Sequence, residues 1–443
     1  MNANHVFASP NVYSSFIFVR IGITNNEWGV EMSQHVSFLH AADLHLDSPF
    51  SGLTHVPEHL FHDIRESTFT AFENLVETAI EKEVDFVLLA GDLFDNEKQT
   101  LKAQIHLRNG FQKLEKHHIN VYVSYGNHDF VNGNVHPITY PDNVYEFTEE
   151  KVSHVVFKKD RVPLASIYGF SYENRSVHTN KASEYEIKDN HIPYHIAMLH
   201  GSISSNTEHD VYAPFQIRDL TESAFDYWAL GHIHKRQVLH TDPVVVYPGN
   251  IQGRNRKETG EKGCYHVTLS PGHVETTFIP LETIQFRRHT IDASDCNEIH
   301  QLERKIHDSI TMSMNKPSPQ LISLRLTSHT EQLSNWNKEA YLDEIIGLIN
   351  ESLVLQTNWR YIFRFEVEEH EYPMENDLLH GEHFAGELMR HFADVSIQPL
   401  LTDLFQHRKV RKYVSTPSEK EEETIKNKAK KLLIKELLKN GGE

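Results

Sequence analysis

Gly126-Asn127-His128-Asp129 follows directly on the apolar run Val121–Tyr125, and this arrangement decides which fold we expect. Short apolar runs of this length are typical of buried strands. Polar side chains follow four more such runs: Val36–Ala41 leads to Asp43-Leu-His45, Phe86–Ala90 to Gly91-Asp92-Leu-Phe-Asp95, 194–199 to His200-Gly201, and 226–230 to Gly231-His232-Ile-His234. Sites in α/β sheets lie at the carboxyl ends of strands, where loops converge. The sequence therefore predicts one polar centre at a sheet edge.

The spacing of apolar residues predicts two folded units. Between the first strands lie helical patterns at 60–80 and 100–117, and further strands are predicted at 164–170, 243–247 and 264–269. Strands that alternate with helices and then follow in quick succession indicate an α/β layered domain with packed sheets over 36–283. Residues 284–372 read as a compact β-α-β-α-β unit, with its elements at 286–291, 297–312, 321–326, 338–353 and 361–367.

The composition limits the class of protein. The chain has 443 residues with 43 basic and 62 acidic side chains, a net charge of −19. This balance argues against a basic surface for passive nucleic-acid binding. Positive charge is local: residues 407–440 hold eleven Lys/Arg and five Glu, a net of +6, which leaves −25 elsewhere. With only Cys264 and Cys296, a disulfide scaffold and a Cys-rich metal site are excluded.

The sequence predicts neither a membrane span nor a secretory signal. No apolar run reaches the roughly 18 residues that a membrane span needs, so no transmembrane helix is predicted. No basic residue precedes Arg20, which argues against a secretory signal, and we expect a cytoplasmic protein. Residues 1–35 are either a disordered extension or a mis-called start. We favour Met32 as the true first residue, because the first strand begins just after it.

The residue types after the strands suit a metal centre. Aspartate, asparagine and histidine supply oxygen and nitrogen donors without sulfur, which suits Mn²⁺ best, with Fe, Zn or Mg as substitutes. Asp-x-His and His-x-His place alternate residues on one side of an extended segment. Seven candidate ligands with one shared carboxylate predict two ions about 3.5–4 Å apart. In a chain with 32 histidines one such motif would indicate only a cap or turn, but five in order indicate a site.

The order of these motifs resembles that of the calcineurin-like metallophosphoesterases. His40-Ala-Ala-Asp-Leu-His-Leu-Asp47, Trp228-Ala-Leu-Gly-His-Ile-His234 and Tyr247-Pro-Gly-Asn250, followed by Glu258 and Lys262-Gly263, further resemble the SbcD-type DNA-repair exonucleases and their YhaO-type branch. The resemblance implies two β-sheets flanked by helices, a small α+β capping domain at 284–372 and a helical, basic segment at 373–443.

The resemblance also implies roles for individual residues. A hydroxide between the two ions would attack phosphorus in line, His128 would protonate the leaving oxygen, and the Asp95 carboxylate would orient His128. The implied ligands of the first ion are Asp43, His45, Asp92 and His234, and those of the second are Asp92, Asn127, His200 and His232, with Asp92 bridging. In the loop 247–263, Asn250 and Arg254 could contact phosphate, although the family often has serine at 250. An equal alternative is a loop held only by its own turns.

Three functions are compatible with these patterns. The main hypothesis is a DNA exonuclease in DNA repair that acts with an SbcC-like coiled-coil ATPase, with homodimerisation implied by the resemblance alone. The alternatives are a phosphodiesterase for small nucleotides or other phosphoesters, and a subunit without turnover. Leu432, Leu433, Leu437 and Leu438 with interleaved lysines predict a basic amphipathic helix. Three roles are open for such a helix. It is a solvated helix that packs on the protein through one face, it docks on a partner protein, or its positive charge contacts DNA phosphates.

Overall fold

A computed structural model of the chain describes most of residues 35–369 and a few positions near the C-terminus. The described residues are 35–369 without 54, 97–98, 134–137, 206–210, 313–317 and 329–331, together with 418, 421–426 and 429. The predicted extension therefore lies outside the described residues except for residue 35. The predicted docking helix at 432–438 lies outside them entirely. Among the described helices, none has the length and apolarity to cross a membrane.

Strand β1 (Val36–Ala41) lies inside the first sheet, since both of its faces carry mostly apolar residues and are almost fully buried. The sheet has the order β12-β11-β1-β2-β3-β4, with β1 to β4 parallel and β11 and β12 antiparallel. Its strands are β1 (Val36–Ala41), β2 (Phe86–Ala90), β3 (Asn120–Ser124), β4 (Val144–Glu146), β11 (Gly263–Ser270) and β12 (His273–Pro280).

The second sheet has six strands in the order β5-β6-β7-β8-β10-β9, of which β6, β7, β8 and β10 run parallel. The two outer strands pair antiparallel with their neighbours. The strands are β5 (Ser153–Lys159), β6 (Val162–Gly169), β7 (Tyr194–His200), β8 (Tyr227–Gly231), β9 (Gln237–Thr241) and β10 (Val244–Tyr247).

The two sheets pack face to face around an apolar core that includes Phe38, Phe86 and Tyr227. Helices α1 (Glu58–Glu81) and α2 (Leu101–Lys116) cover the outer face of the first sheet. Thr100 begins α2 as an N-cap, since its hydroxyl accepts a hydrogen bond from the Ala103 amide. The second sheet is covered on its outer face by loops and α3 (Ile217–Thr221). The predicted α/β sandwich of two sheets flanked by helices is thus confirmed.

A third, parallel sheet has the order β13-β14-β15. One set of its side chains packs against three helices, and another packs against residues 50–64 around the start of α1. In β15, for example, Ile362 belongs to the first set and Phe363 to the second. The elements of this region are β13 (Gln285–Asp292), α4 (Ile299–Met312), β14 (Gln320–Ser328), α5 (Gln332–Lys338), α6 (Tyr341–Leu353) and β15 (Arg360–Glu369).

The structure differs from the sequence prediction in one helix boundary and in four strands that were not predicted. The helix predicted over 338–353 begins at Tyr341, because Ala340 has a left-handed backbone (φ 61°) that separates α5 from α6. Four strands of the two large sheets were not predicted: β4, β5, β9 and β12. All four lie at the edges of their sheets.

Candidate dinuclear metal centre

The loops after β1 and β2 are joined through their backbones. The amides of Asp43 and His45 donate to the carbonyls of Gly91 and Asp92 over 3.1 and 3.0 Å. Asp43, His45 and Asp92 have positive φ values of 52°, 43° and 52°, and His232 in the second sheet has 96°. A left-handed backbone at a residue other than glycine costs about 1–3 kcal/mol of folding free energy, and such residues concentrate at functional sites. The sharp turns bring side chains of consecutive loops to one place at the sheet edge.

One group of potential ligands combines the two sheets. Ligand atoms of Asp43, His45 and His234 all lie within 4.8 Å of one another. The Nε2 atoms of His45 and His234 face each other at 3.0 Å. Two imidazole nitrogens that converge in this way offer two lone pairs to the same point, which suits a shared cation.

A second group adjoins the first. Ligand atoms of Asp43, Asp92 and His200 also lie within 4.8 Å of one another. The Asn127 Oδ1 atom lies 3.1 Å from His200 Nε2 and 3.2 Å from His232 Nδ1. Asp92 also approaches the first group, because its Oδ2 lies 3.8 Å from His45 Nε2 as well as 3.4 Å from His200 Nε2. The structure thus brings the seven predicted ligands together. The two groups whose ligand atoms lie within 4.8 Å of one another have Asp43 in common.

The electrostatics of the centre favour positive charge. Asp43 and Asp92 are both buried, at 1% exposure. Burial opposes ionisation of Asp92, yet the adjacent His200 holds the pKa of Asp92 well below its usual value. Burial likewise opposes a charge on His200, but Asp92 raises the pKa of its imidazolium to about 9. Buried carboxylates facing imidazoles fit a pair of divalent cations in a candidate site of Asp43, His45, Asp92 and His200.

Several of these side chains are oriented by their other polar atoms. The Nδ1 atom of His200 lies 3.0 Å from the Ala90 carbonyl oxygen, which leaves Nε2 turned toward Asp92 and Asn127. The His232 amide donates to both carboxylate oxygens of Asp43, over 3.0 and 3.1 Å. Such contacts fix the tautomer and the direction of a ligand before an ion binds.

The glycines of the motifs allow close approach to His200. A Cβ atom added to Gly126 would lie 2.3 Å from Asp92 Oδ1 and 2.7 Å from His200 Nε2. One added to Gly91 would lie 2.2 Å from His200 Nδ1. Because real Cβ contacts are not that short, both positions exclude any side chain. Gly91 and Gly126 are therefore needed for the close packing of the centre.

Glu258 orients His234, a role that was not predicted. The Nδ1 atom of His234 lies 3.0 Å from Glu258 Oε1. Burial opposes ionisation of Glu258, but the hydrogen bond to His234 and the charge of Arg254 hold the pKa of its carboxyl far below its usual range. The loop motif contained Glu258, but only the fold shows that it meets His234. The pair resembles the carboxylate–histidine arrangement common around metal ions.

His128 lies beside the centre and is half-buried. Its ring meets that of His45 edge-on, with 4.9 Å between centroids. Its Nδ1 atom donates to the backbone carbonyl of Asp95 over 2.7 Å. The contact therefore differs from the expected one: the Asp95 backbone orients His128, and the Asp95 carboxylate instead pairs with Arg254. Within the part of the chain that the structure describes, the Nε2 atom of His128 has no hydrogen-bond partner.

The two residues expected to contact substrate differ in position. Asn250 is fully buried and donates to the Gln252 carbonyl and to Glu258, so a direct contact between Asn250 and substrate is not supported. Its side chain instead stabilises the loop. Arg254 pairs with Asp95 through Nη1, and its Nη2 lies 3.4 Å from His234 Nδ1. Arg254 thus borders the metal centre.

Asp129 is a further residue whose role was not predicted. Its buried carboxylate accepts hydrogen bonds from the amides of Gly126 and Leu93, over 2.7 and 2.6 Å. Burial, with the nearby charge of Asp92, raises the pKa of Asp129 to about 7. Asp129 joins the loops after β2 and β3, and so holds Asp92 and Asn127 in register.

Similarity to known proteins identifies the family of the chain. A family model for calcineurin-like phosphoesterases matches residues 36–236. The uncharacterized metallophosphoesterase YhaO of Bacillus subtilis is 37% identical over 407 residues, which are 92% of this chain and 99% of that protein.

More distant similarity extends to repair proteins. The DNA double-strand break repair protein Mre11 of Thermoplasma acidophilum is 26% identical over 60% of this chain and 72% of its own length. Mre11 of Methanocaldococcus jannaschii is 24% identical over 61% of this chain and 72% of its own length. The matched family model spans the first five motifs, and the similarity to YhaO runs along nearly the whole chain. The chain therefore belongs to the calcineurin-like metallophosphoesterases, hydrolases that act on phosphoester bonds.

Proposed function

We propose that this metallophosphoesterase is a nuclease that hydrolyses DNA phosphodiester bonds, and that it acts as an exonuclease of the SbcD type. The observation that carries the proposal is the convergence of seven oxygen and nitrogen donors beside His128, whose Nε2 is free of partners among the described residues. A dinuclear centre with an adjacent proton donor suits in-line displacement at phosphorus.

We assign the ligands as the sequence predicts. Asp43, His45, Asp92 and His234 would hold one ion, and Asp92, Asn127, His200 and His232 the other, with Mn²⁺ as the best-suited metal. Bound ions would polarise the phosphoryl oxygens and lower the pKa of an attacking water. The protein contributes a rigid frame, because three hydrogen bonds fix the ligands in advance. The Ala90 carbonyl accepts one from His200, the Glu258 carboxylate accepts one from His234, and the His232 amide donates one to Asp43.

We assign the proton transfer to His128. The Asp95 carbonyl accepts the Nδ1 proton, so the ring cannot turn away and Nε2 is directed outward from that contact. A protonated Nε2 can then donate to the departing oxygen of the cleaved strand. Asp95 acts as a positioning residue through its backbone, while its carboxylate holds Arg254 at the edge of the centre.

The preference for DNA over small phosphoesters rests on one observation and one further proposal. Two of the similar proteins are named as DNA double-strand break repair proteins. We also propose that residues 284–372 form a cap separate from the catalytic domain of 36–283, and a substrate with one phosphoester needs no such cap. The described part of the cap packs beside the centre through an apolar cluster that includes Phe50, Phe286 and Trp359.

The C-terminal segment, residues 373–443, is our candidate for contact with a partner protein. We propose that residues 373–443 dock on an SbcC-like coiled-coil ATPase through the predicted basic helix, and that the nuclease works in the cytoplasm, as a homodimer. Co-purification of the ATPase with the full chain but not with a chain ending at residue 372 would support this. Equal recovery with both chains would contradict it.

A comparison of substrates tests the proposed function. The purified protein with Mn²⁺ is incubated with linear duplex DNA, a chromogenic phosphodiester and a chromogenic phosphomonoester. We expect DNA degradation and diester cleavage, with little monoester cleavage. Cleavage of the small diester without DNA degradation, even with the ATPase partner added, would contradict the nuclease proposal and favour a small-molecule phosphodiesterase. Absence of all hydrolysis would favour a subunit without turnover.

A further inference from the structure

A cleft of about 600 Å³ lies between the catalytic region and the third sheet. Its volume is within the range of about 300–1,000 Å³ that is typical of ligand sites. The lining comes from the loop after β1, from the loop after β10, and from strands β13 and β15. The described residues that line it are Ser51, Gly52, Leu53, His55, Arg254, Asn255, Arg256, Lys257, Phe286, Phe363 and Arg364.

The charge of this cleft is opposite to that of the chain. Among the described lining residues four are arginine or lysine and none is acidic, although the whole chain has a net charge of −19. Arg256 and Lys257 are exposed, and neither forms an ion pair with any other described residue. Unpaired cations gathered in a concave surface attract phosphate groups.

The cleft is continuous with the metal centre through Arg254. The guanidinium of Arg254 pairs with Asp95 and lies 3.4 Å from His234 Nδ1, while the same side chain lines the cleft. Its Nε atom is buried and has no hydrogen-bond partner among the residues that the structure describes. A group bound in the cleft would therefore lie next to the phosphate that is cleaved.

The loop that carries the cations is also held to the centre. Glu258, which orients His234, accepts hydrogen bonds from the Arg254 amide over 2.8 Å and from Asn255 Nδ2 over 2.9 Å. The Lys257 amide donates to Asn255 Oδ1 over 2.9 Å. Arg256 and Lys257 thus extend from a turn whose backbone has a fixed relation to the metal ligands.

Part of the lining is apolar. Leu53 and Phe286 are buried there, and the half-buried Phe363 meets Phe286 edge-on with 6.0 Å between ring centroids. His55 joins the two sides, since its Nε2 lies 2.7 Å from the Phe363 carbonyl oxygen. An aromatic surface beside cations is the combination that binds an unpaired nucleotide, with the base on the ring and phosphate on the cations.

We propose that this cleft binds the nucleotide adjacent to the scissile bond as a single-stranded unit. Its phosphate contacts Arg256, Lys257 and Arg364, and its base packs on Phe363. The proposal rests on the proposed nuclease function and deepens it, because it assigns the recognition of a polynucleotide to residues outside the metal centre.

The test compares two variants with a control. Arg256→Ala/Lys257→Ala removes two exposed cations, and Phe363→Leu keeps an apolar side chain but removes the ring. Lys151→Ala/Lys158→Ala removes the same charge from exposed positions near the edge strand β5, outside the cleft. Binding of a short fluorescein-labelled single strand is followed by anisotropy in EDTA, over a series of salt concentrations. Turnover of that strand with Mn²⁺ is divided by turnover of a chromogenic diester.

We expect the double cleft variant to bind the strand about tenfold more weakly, with a salt slope shallower by about 1.4 because two phosphate contacts are lost. For Phe363→Leu we expect a loss of about tenfold with an unchanged slope. In both, the ratio of strand to diester turnover falls, while the control matches the unmodified protein. Binding by both cleft variants equal to that of the control would overturn the proposal. Tight binding by the unmodified protein without any hydrolysis would instead overturn the proposed function and leave the cleft supported.

Discussion

His128 and Glu258 illustrate how single residues act in the centre. Each of the two side chains makes one contact that bears directly on the centre. His128 is held at Nδ1 by the Asp95 carbonyl, and Glu258 holds His234 at Nδ1. The first contact leaves a proton donor beside the centre, and the second prepares a ligand. Substitutions at these two positions should therefore have different consequences.

Replacing His128 should remove turnover but not metal. His128→Ala lacks the proposed proton donor, and we expect a loss of about 100-fold to 10,000-fold in kcat on a phosphodiester. Metal content, measured by elemental analysis, should match that of the unmodified protein. The exposed His59 offers a control, and His59→Ala should keep full activity. Loss of metal from His128→Ala would show that its role is to hold an ion.

Replacing Glu258 should weaken metal binding instead. Glu258→Gln keeps the shape of the side chain but removes the charge that stabilises His234, and we expect metal affinity to fall by about 10- to 100-fold. Calorimetric titration with Mn²⁺ measures this directly. Glu261→Gln is the matched control, because Glu261 lies three residues further and pairs with Arg236 at 3.8 Å. Equal affinities in the two variants would contradict the orienting role.

Among the elements, the strands in the middle of the two sheets were predictable and the edge strands were not. β2 and β8 are buried on both faces, so each is a continuous apolar run in the sequence. β12 alternates polar and apolar residues and is half exposed, as is typical of an edge. Its sequence, His273–Pro280, carries no such run. The contacts of Glu258 could not be predicted either, because they depend on where a long loop returns to the sheet.

Helix α6 contains an exposed glycine at position 347, in its interior. A Cβ added there would meet no atom within 4 Å. Gly347→Ala should therefore stabilise the protein by about 0.5–1 kcal/mol, because alanine loses less backbone entropy on helix formation. Urea unfolding measures the change, and phosphodiester turnover should not alter. Destabilisation would mean that this helix face contacts residues outside those described.

At the scale of the whole molecule, His40 links the two large sheets. It lies on β1, and its Nδ1 and Nε2 atoms contact the Tyr227 hydroxyl and the Leu230 carbonyl of β8 over 2.9 and 3.1 Å. His40 is fully buried, and this burial lowers its pKa to about 3. The folded protein therefore keeps His40 neutral under conditions where the unfolded chain takes up a proton.

Acid should weaken the fold through His40. Its folded pKa of about 3 lies below the ordinary 6.5, so its stabilising contribution is complete above 6.5 and is lost as the pH falls toward 3. We expect a loss of about 2 kcal/mol between about pH 6.5 and about pH 5 from this residue. His40→Gln should be less stable at neutral pH but show a correspondingly smaller loss. Urea unfolding of both proteins in EDTA, at a series of pH values, measures the free energy of unfolding. Parallel profiles of this free energy against pH would contradict the assignment.

The hydrogen bond from the His232 amide to Asp43 joins residues 189 positions apart. This separation has a consequence for synthesis on the ribosome. While the segment up to β7 is emerging, the chain holds Asp43, His45, Asp92 and Asn127 but lacks the strand that delivers His232 and His234. Its acidic, half-built pocket lacks β8, β9 and β10, the part of the second sheet that follows β7 in the chain. Metal uptake should consequently be a late step in the maturation of the protein, coupled to release of the second half of the chain rather than to its first folding.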